Sequence, residues 1–342
     1  MLGTSNGSLL TFPNGQPILC ALKFNKDNTT LRGESNTATV LKLMANKKMR
    51  ALCAPTKSPV IEKVAIDGNG RQRILYDPAT GKPWTWPDGN VVDGILTVAN
   101  SSNAIVRDCE IRNGIEDGVG TWQANDVLVQ NCYIHDNGGF VFDPSAGFNV
   151  GANGITFSFG ARKRALGNRI ENNTFGIRLS HGVQDSRVDG NTFKNNYGSA
   201  VNIGSSRAAQ GGNNFLNSGF TISNNIIENN SRGGFSGVNI FGAQNGSVTG
   251  NTIINNYNNG ISINDEADAA AYNSRNWQIT NNVCSNTNSS RLQNVGISVA
   301  GRAEDITLTG NICRDNGTSL ANQITITNPS AVNSNWSSIN TT

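Results

Sequence analysis

The sequence has little charge, no long apolar run, few prolines and few cysteines, and each scarcity excludes a class of protein. Of its 342 residues only 15% are charged, with a net charge of +3, so no broad basic surface favours nucleic acid as a partner. No apolar stretch approaches the roughly 20 residues that span a membrane, and residues 1–10 do not have the pattern of a secretory signal peptide. Nine prolines argue against a disordered linker protein, and six cysteines are too few to predict a scaffold built on disulfides.

The chain is instead rich in asparagine and glycine, with 52 and 38 residues, which disfavours helices. One short phrase recurs eight times, with starts 23 to 36 residues apart. A base period near 23 with variable insertions is typical of a repeating coil whose loops absorb extra residues. The copies lie at 106–113, 129–136, 165–172, 188–195, 222–229, 248–255, 279–286 and 308–315.

Each copy is accompanied by a second short segment that usually opens with glycine, such as 154–158, 176–180 and 260–264. Apolar and polar residues alternate within these segments, which is the signature of a strand. Three short strands per coil must stack on neighbouring coils to bury their inward side. The sequence therefore predicts an all-β, single-stranded parallel β-helix of about ten coils and three short parallel sheets. We expect one domain over 1–342, with core coils over about 10–327 and a polar tail at 328–342.

Aligning the eight copies predicts which residues stack along the coils. A column at the turn inside the phrase becomes asparagine in its last six members, and stacked amides can donate to one another there. This column predicts an Asn ladder. It consists of Cys109, Cys132, Asn168, Asn191, Asn225, Asn251, Asn282 and Asn311.

Two other residue types have structural explanations. Cys284 and Cys313 fall in an inward apolar column and are expected to pack as small hydrophobic residues. His135 falls in an outward column with charged residues, where opposite charges one coil apart can pair.

With these repeats and this column, the sequence resembles the right-handed parallel β-helix superfamily, which includes pectate lyases, polygalacturonases, mannuronan epimerases and phage tailspikes. The resemblance implies a right-handed helix of coils that recognises polysaccharide. The sequence SHG at 180–182 matches a short polygalacturonase motif, but the paired aspartates expected on the preceding coils are missing. The Asp-Pro-His motif of the epimerases is absent as well, which makes an epimerase the weaker alternative.

The insertions indicate where a ligand binds, because they all flank the glycine-started strands, and insertions on one face usually mark a binding face. They would form the walls of a groove suited to a linear polymer, which in this superfamily is usually a polysaccharide. We predict contacts from aromatic and hydrogen-bonding side chains, with the alternative that the aromatic ones only cover neighbouring coils. The predicted substrate-binding residues are Trp122, Ser180, Asn202, Asn239 and Phe241 on the groove floor, and Trp84 and Trp86 in a flanking loop.

The strongest candidates for chemistry are Arg178 and His181, which lie at the end of one glycine-started strand. Cleavage of a uronic acid chain by a lyase needs a cation for the carboxylate and a base for the C5 proton, and Arg178 and His181 could supply both. The alternative is a surface arginine and a loop histidine without a catalytic role. A hydrolase would need two loop carboxylates, for which Glu116 or Asp117 with Asp143 forms the plausible pair, with the alternative that these acids only accept backbone N–H bonds in turns.

We therefore predict a polysaccharide-binding protein that cleaves its ligand as a lyase or a glycosidase, as a tailspike-type depolymerase would. The alternative is a non-enzymatic structural or receptor-binding component of a phage virion. Either would act outside cells or on a virion surface, without nucleic acid or membrane as a partner, and a homotrimer is one option. No cofactor is required, although the acidic run 264–268 is a candidate for Ca²⁺ or a solvated loop.

Overall fold

The structure is a computed structural model, and the residues that it describes form strands and one short 3-10 helix at Pro329–Ala331. No helix in this part of the chain is long and apolar enough to cross a membrane. The described residues are 8–11, 17–43, 50–69, 95–114, 116–138, 153–204, 216–264, 273–287, 292–316 and 323–333.

The strands form three sheets, and each coil contributes one strand to each of them in turn. Sheet 1 contains the glycine-started segments, sheet 2 the first half of each phrase and sheet 3 the second half. Among the strand pairs whose register the structure describes, β1 and β2 are antiparallel and the others, such as β17 with β20 and β18 with β21, are parallel. These sheets confirm the predicted all-β parallel β-helix.

The twelve strands of sheet 1 are β1 (Ser8–Thr11), β2 (Pro17–Lys23), β5 (Arg50–Cys53), β8 (Leu96–Ala99), β11 (Val119–Trp122), β14 (Asn153–Ser158), β17 (Phe175–Ser180), β20 (Val201–Gly204), β23 (Val238–Phe241), β26 (Asn259–Asn264), β29 (Val295–Val299) and β32 (Ile324–Ile326). The ten strands of sheet 2 are β3 (Thr30–Arg32), β6 (Val60–Glu62), β9 (Ile105–Arg107), β12 (Leu128–Gln130), β15 (Arg164–Leu166), β18 (Gln184–Asp189), β21 (Asn217–Ser223), β24 (Ala243–Thr249), β27 (Arg275–Thr280) and β30 (Glu304–Thr309). The ten strands of sheet 3 are β4 (Val40–Lys42), β7 (Ala65–Asp67), β10 (Glu110–Arg112), β13 (Tyr133–His135), β16 (Arg169–Glu171), β19 (Thr192–Lys194), β22 (Ile226–Glu228), β25 (Thr252–Ile254), β28 (Val283–Ser285) and β31 (Ile312–Arg314).

The chain groups into two compact units. The first comprises Met1–Thr156 and Asn168–Thr174, and the second comprises Phe157–Gly167 and Phe175–Thr342. Each unit has its own buried aliphatic columns in register. In the second unit, for example, Val188 pairs with Ile222 and Ile222 with Val248, all three buried.

The predicted Asn ladder is present between sheets 2 and 3. In the second unit, the amide nitrogen of Asn191 donates to Asn225 Oδ1 at 3.0 Å, and Asn225 donates to Asn251 in the same way at 2.9 Å. The series continues through Asn282 to Asn311. In the first unit, the backbone of Cys132 donates to Asn168 Oδ1 at 2.9 Å, so a cysteine occupies the same turn.

A second amide ladder follows sheet 3, and the sequence analysis did not predict it. Asn137 donates to Asn173 in the first unit at 2.9 Å. In the second unit the donors and acceptors run in series, and two glutamines take the place of asparagine. The series is Asn196, Asn230, Asn256, Gln293, Asn316 and Gln323.

These two turns explain the asparagine and glycine content. The residue before a ladder amide adopts a positive φ, as in Asn224 (φ 55°) and Gly250 (φ 66°), a conformation that Gly and Asn adopt most readily. The glycines that open sheet 1 strands have a different cause. A Cβ on Gly176 would lie 2.3 Å from the backbone oxygen of Ala200 on the next coil. Close stacking of coils therefore requires glycine there.

Candidate functional site

Arg178 lies where alternation predicts, on the outward face of sheet 1 in the second unit. Its neighbours in β17, Ile177 and Leu179, are buried in the core, while the arginine is half-buried. Arg178 is paired in register with Asn202 of β20. The guanidinium-bearing Arg178 and the amide-bearing Asn202 are therefore neighbours on adjacent strands of the predicted groove floor.

His181 follows β17 directly and adopts a left-handed conformation with φ 60°. Its Nδ1 lies 2.9 Å from Ser180 Oγ and 3.4 Å from Ser158 Oγ, and its ring stacks on Phe159 at 5.3 Å between centroids. Burial, and then the charge of Arg178, lower the pKa of His181 to about 4. The imidazole is therefore neutral at neutral pH and stands near the guanidinium.

The outward residues of the groove floor are less exposed to solvent than the alternation of inward and outward positions predicts. Ser180 and Asn239 were predicted as contacts for a ligand, yet their exposures are 0% and 4%. Ser180 Oγ lies 3.3 Å from Ser158 Oγ, and Asn239 donates to Asn202 Oδ1 at 3.1 Å. Short side chains in register bond to one another, so alternation places them outward without leaving them accessible. Asn202 is half-buried and so is Phe241, the predicted aromatic contact of β23.

Lys163 is a buried lysine that was not predicted from the sequence. It is completely buried, its Nζ donates to the backbone oxygen of Ser158 at 2.8 Å, and it lies 6.0 Å from the centroid of the Phe157 ring. Burial lowers the pKa of the Lys163 ammonium well below its ordinary value. Residues 160–164 read GARKR, a polar run with no apolar alternation to signal an inward lysine.

We expect Lys163→Met to raise the free energy of unfolding by about 1–3 kcal/mol at neutral pH, because methionine fills similar space without a cost of desolvation. The pKa of Lys163 in the folded chain lies below its unfolded value of about 10.4, so between these two values the unfolded chain binds more protons than the folded chain. The stability of the parent therefore rises as pH increases toward that value, and the difference between variant and parent shrinks. Urea denaturation at neutral and at alkaline pH measures both effects. The exposed Lys26→Met is the control, and a variant less stable than the parent at neutral pH would contradict the prediction.

In the first unit, a set of polar side chains surrounds Asp117, and we call it the Asp117 site. It consists of Asp117 with Arg50, Thr97, Asn153 and Thr156. Asp117 Oδ1 accepts hydrogen bonds from the backbone and side-chain nitrogens of Asn153 at 3.0 and 2.9 Å, and Arg50 donates to Thr97 Oγ1. Burial raises the pKa of the Asp117 carboxyl, against opposing hydrogen bonds from Asn153 and Thr156 and the charge of Arg50.

Trp122 lies beside a disulfide that the sequence analysis did not predict. Cys20 and Cys53 are bonded, with 5.9 Å between their Cα atoms, and the half-buried Trp122 packs against them and Ala99. The separation of 33 residues between the two cysteines falls within the range of the coil lengths, and this was the signal available in the sequence. The other four cysteines are free and buried as expected, and Cys284 pairs in register with Cys313.

Several predicted site residues lie outside the described residues, namely Asp143, Trp84, Trp86 and most of the acidic run 264–268. The pairing of Asp117 with Asp143 therefore stays a prediction. Within the described segments, no three His, Cys, Asp or Glu side chains are grouped so that they could hold a metal ion.

His135 lies in the predicted outward column, in register with Arg112 and Glu171. Its two ring nitrogens lie 2.7 Å from Asp136 Oδ2 and 3.1 Å from Glu110 Oε1. Burial opposes protonation, but the hydrogen bonds to Asp136 and Glu110 outweigh it and raise the pKa of His135. Because each ring nitrogen of His135 lies beside a carboxylate oxygen, both nitrogens can donate a hydrogen bond, which favours the protonated imidazolium.

We expect the imidazolium of His135 to stabilise the folded chain at acid pH and to lose this effect at alkaline pH. Because the folded pKa is raised, its contribution is full below the ordinary value of about 6.5 and is lost as pH rises through the folded value. His135→Gln should therefore lower the melting temperature more at pH about 5.5 than at pH about 8. Thermal denaturation across this range tests it, and an equal loss at both pH values would contradict it.

The comparisons with known proteins concern the fold. The family model described as "Right handed beta helix region" matches residues 89–234, and no curated protein matches the sequence significantly. Among solved structures, the A-module of mannuronan C-5 epimerase AlgE6 from Azotobacter vinelandii is similar with a TM-score of 0.60 and 14% identity, covering 93% of this chain and 84% of that one.

Two further solved structures are similar. The Dettilon tailspike protein has a TM-score of 0.57 at 17% identity, covering 92% of this chain and 63% of its own. The Agl-KA catalytic domain has a TM-score of 0.57 at 16% identity, covering 93% of this chain and 58% of its own. At such identities the likeness shows the fold alone, which is the right-handed parallel β-helix.

Proposed function

We propose that this protein binds an acidic polysaccharide on the outward face of sheet 1 and cleaves it by β-elimination at Arg178 and His181. The observation that carries the proposal is a neutral imidazole beside a guanidinium on that face. Arg178 would pair with the carboxylate of a uronic acid residue, and His181 would accept its C5 proton. The likeness to a mannuronan epimerase supports a uronic acid polymer.

The hydrogen bonds around His181 suit a base. If Nδ1 carries the proton, it donates to Ser180 Oγ, and the Ser180 hydroxyl can donate to Ser158 Oγ. Nε2 then holds the basic lone pair. The pKa of about 4 makes the imidazolium a strong acid, but a carboxylate bound to Arg178 would offset the guanidinium charge. Substrate binding would thereby raise the basicity of His181 when the proton is transferred.

The reaction has a defined balance. His181 takes the C5 proton, the electron pair of that bond forms the C4–C5 double bond, and the C4–O bond breaks. The departing oxygen gains a proton, which leaves an unsaturated sugar at one new chain end. Return of a proton to the opposite face of C5 without elimination would be epimerisation, so proton abstraction is the step common to both outcomes.

The test is incubation of the protein with a panel of polyuronates and neutral polysaccharides in D₂O. We expect an unsaturated product, or deuterium at C5, from at least one polyuronate. New reducing ends without unsaturation or deuterium would instead indicate hydrolysis and turn attention to Asp117. No change in any polymer would overturn the enzymatic proposal.

A second candidate is a protein that binds a glycan without turning it over, as part of a virion. Two observations favour it, namely the likeness to the Dettilon tailspike protein and the absence of a carboxylate among the outward residues of β17, β20 and β23. Glycan binding without turnover would support it. The Cys20–Cys53 disulfide supports a location outside cells or on a virion surface in either case. The homotrimer stays a prediction.

A further inference from the structure

The residues of the Asp117 site converge on one position of β11. Asp117 Oδ1 is occupied by Asn153, while Oδ2 lies 3.6 Å from the position that a Cβ on Gly120 would take. Thr97, which accepts from Arg50, is the register partner of Gly120. A carboxyl group, a guanidinium and a hydroxyl thus gather near a residue without a side chain, which leaves room on the outward face.

One buried acceptor of the Asp117 site receives no hydrogen bond from the part of the chain that the structure describes. Asn153 is 4% exposed, and its Nδ2 donates both to Asp117 and to Thr156 Oγ1 at 2.8 Å. Its Oδ1 has no hydrogen-bond partner among the described residues. A buried acceptor without a donor costs about 1–3 kcal/mol. A ligand hydroxyl that donates to Asn153 Oδ1 would remove this cost.

An aromatic surface stands beside these polar groups. Trp122 points to the same face as Gly120 because they are two residues apart, and two residues of a strand span about 6.6 Å. The packing of Trp122 on Ala99 and the Cys20–Cys53 disulfide holds the ring in place. A fixed ring next to grouped acceptors offers a stacking surface and hydrogen bonds to one ligand ring.

We infer that the Asp117 site, together with Gly120 and Trp122, is a saccharide-binding site for a neutral hexopyranose. The charge of Arg50 is offset by that of Asp117, so the pair exerts little net attraction on an anion. The acceptors Asp117 Oδ2 and Asn153 Oδ1 match the hydroxyl donors of a neutral sugar, whereas a uronic acid would bring a second carboxylate next to Asp117. The inference rests on the proposed function only for a polysaccharide ligand on sheet 1, and it adds that this polysaccharide carries neutral as well as uronic acid residues. It does not rest on the reaction at Arg178 and His181.

Titration of the full chain with neutral gluco-, manno- and galacto-oligosaccharides, followed by calorimetry and by NMR, tests this site. We expect at least one of them to bind, and Gly120→Ala and Asp117→Asn each to weaken binding about tenfold or more. Among the described residues, the added methyl of Gly120→Ala meets nothing closer than 3.6 Å, so folding should persist. Gly204→Ala is the matched control on sheet 1, because its methyl meets no described atom within 4 Å.

The outcomes separate this inference from the proposed function. Arg164→Ala, at an exposed arginine on sheet 2, should leave binding of the neutral oligosaccharide unchanged, and a protein without turnover could still bind it. No binding of any neutral oligosaccharide would overturn the inference. So would equal binding by the parent and Gly120→Ala, or a preference for oligouronates that Asp117→Asn leaves unchanged.

Discussion

Replacing Asn225 with alanine is expected to lower the free energy of unfolding by about 2–5 kcal/mol, because its side-chain amide makes four hydrogen bonds in the buried turn and each buried group left without a partner costs about 1–3 kcal/mol. Asn225 Oδ1 accepts from the backbone nitrogen of Asn191 at 2.9 Å, and its Nδ2 donates to the backbone oxygen of Val188 at 3.0 Å. Alanine can replace neither bond. The loss should appear as a lower urea midpoint in circular dichroism.

Asn258→Ala is the matched control for this change. Asn258 lies in the same unit and is half-buried, and its side-chain nitrogen donates to the backbone oxygen of Gly234 at 2.8 Å. We expect its replacement to shift stability by about 0.5 kcal/mol or less. Equal losses for Asn225→Ala and Asn258→Ala would show that the ladder does not stabilise the coils beyond an ordinary surface amide.

The second large effect concerns activity at the proposed reaction centre. We expect His181→Asn to lower kcat by about 10²–10⁴-fold, the usual contribution of a positioned acid or base. Asparagine suits the test because it tolerates the left-handed φ of 60° better than alanine does. The parent's kcat/KM should rise with pH as His181 loses its proton, with a midpoint at about 4, and level off toward neutral pH.

Variants of the neighbouring residues separate the roles around His181. Arg178→Ala removes the second cause of the lowered pKa, so the midpoint should move upward while turnover of polyuronates falls. Ser180→Ala should lower kcat with little change in KM, since Ser180 positions the imidazole and is itself buried. Arg164→Ala, at an exposed arginine on sheet 2 of the same unit, should change neither quantity. A profile that falls above pH about 4 would contradict a base and indicate a proton donor.

Much of the fold could be predicted because stacked coils require the same type of residue at the same position of each repeat. Val188, Ile222 and Val248 occupy one buried position in successive coils, and the recurring Asn occupies one turn. Periodicity of this kind can be read without coordinates. The second ladder escaped prediction because Gln293 and Gln323 take the place of asparagine and variable loops separate its members.

The candidate site was less predictable for a physical reason. The alternation of inward and outward residues along β17 places Arg178 and Ser180 on the outward face. Whether each of these side chains is exposed to solvent depends on the side chains of neighbouring coils that pack against it. Arg178 is half-buried and Ser180 is completely buried against Ser158 and His181. The lowered pKa of His181 likewise depends on surroundings that no single strand specifies.

The sequence by itself determined the coil repeat, the inward columns, the Asn ladder and the sheet on which Arg178 and Trp122 stand, because each follows from a local period or a local turn. Only the tertiary structure decided that Cys20 bonds to Cys53, that Lys163 is buried, and that Arg50, Thr97 and Asn153 gather around Asp117. These residues lie on different coils. Because insertions of different length separate the coils, residues that are in contact have no fixed spacing in the sequence from which the contact could be predicted.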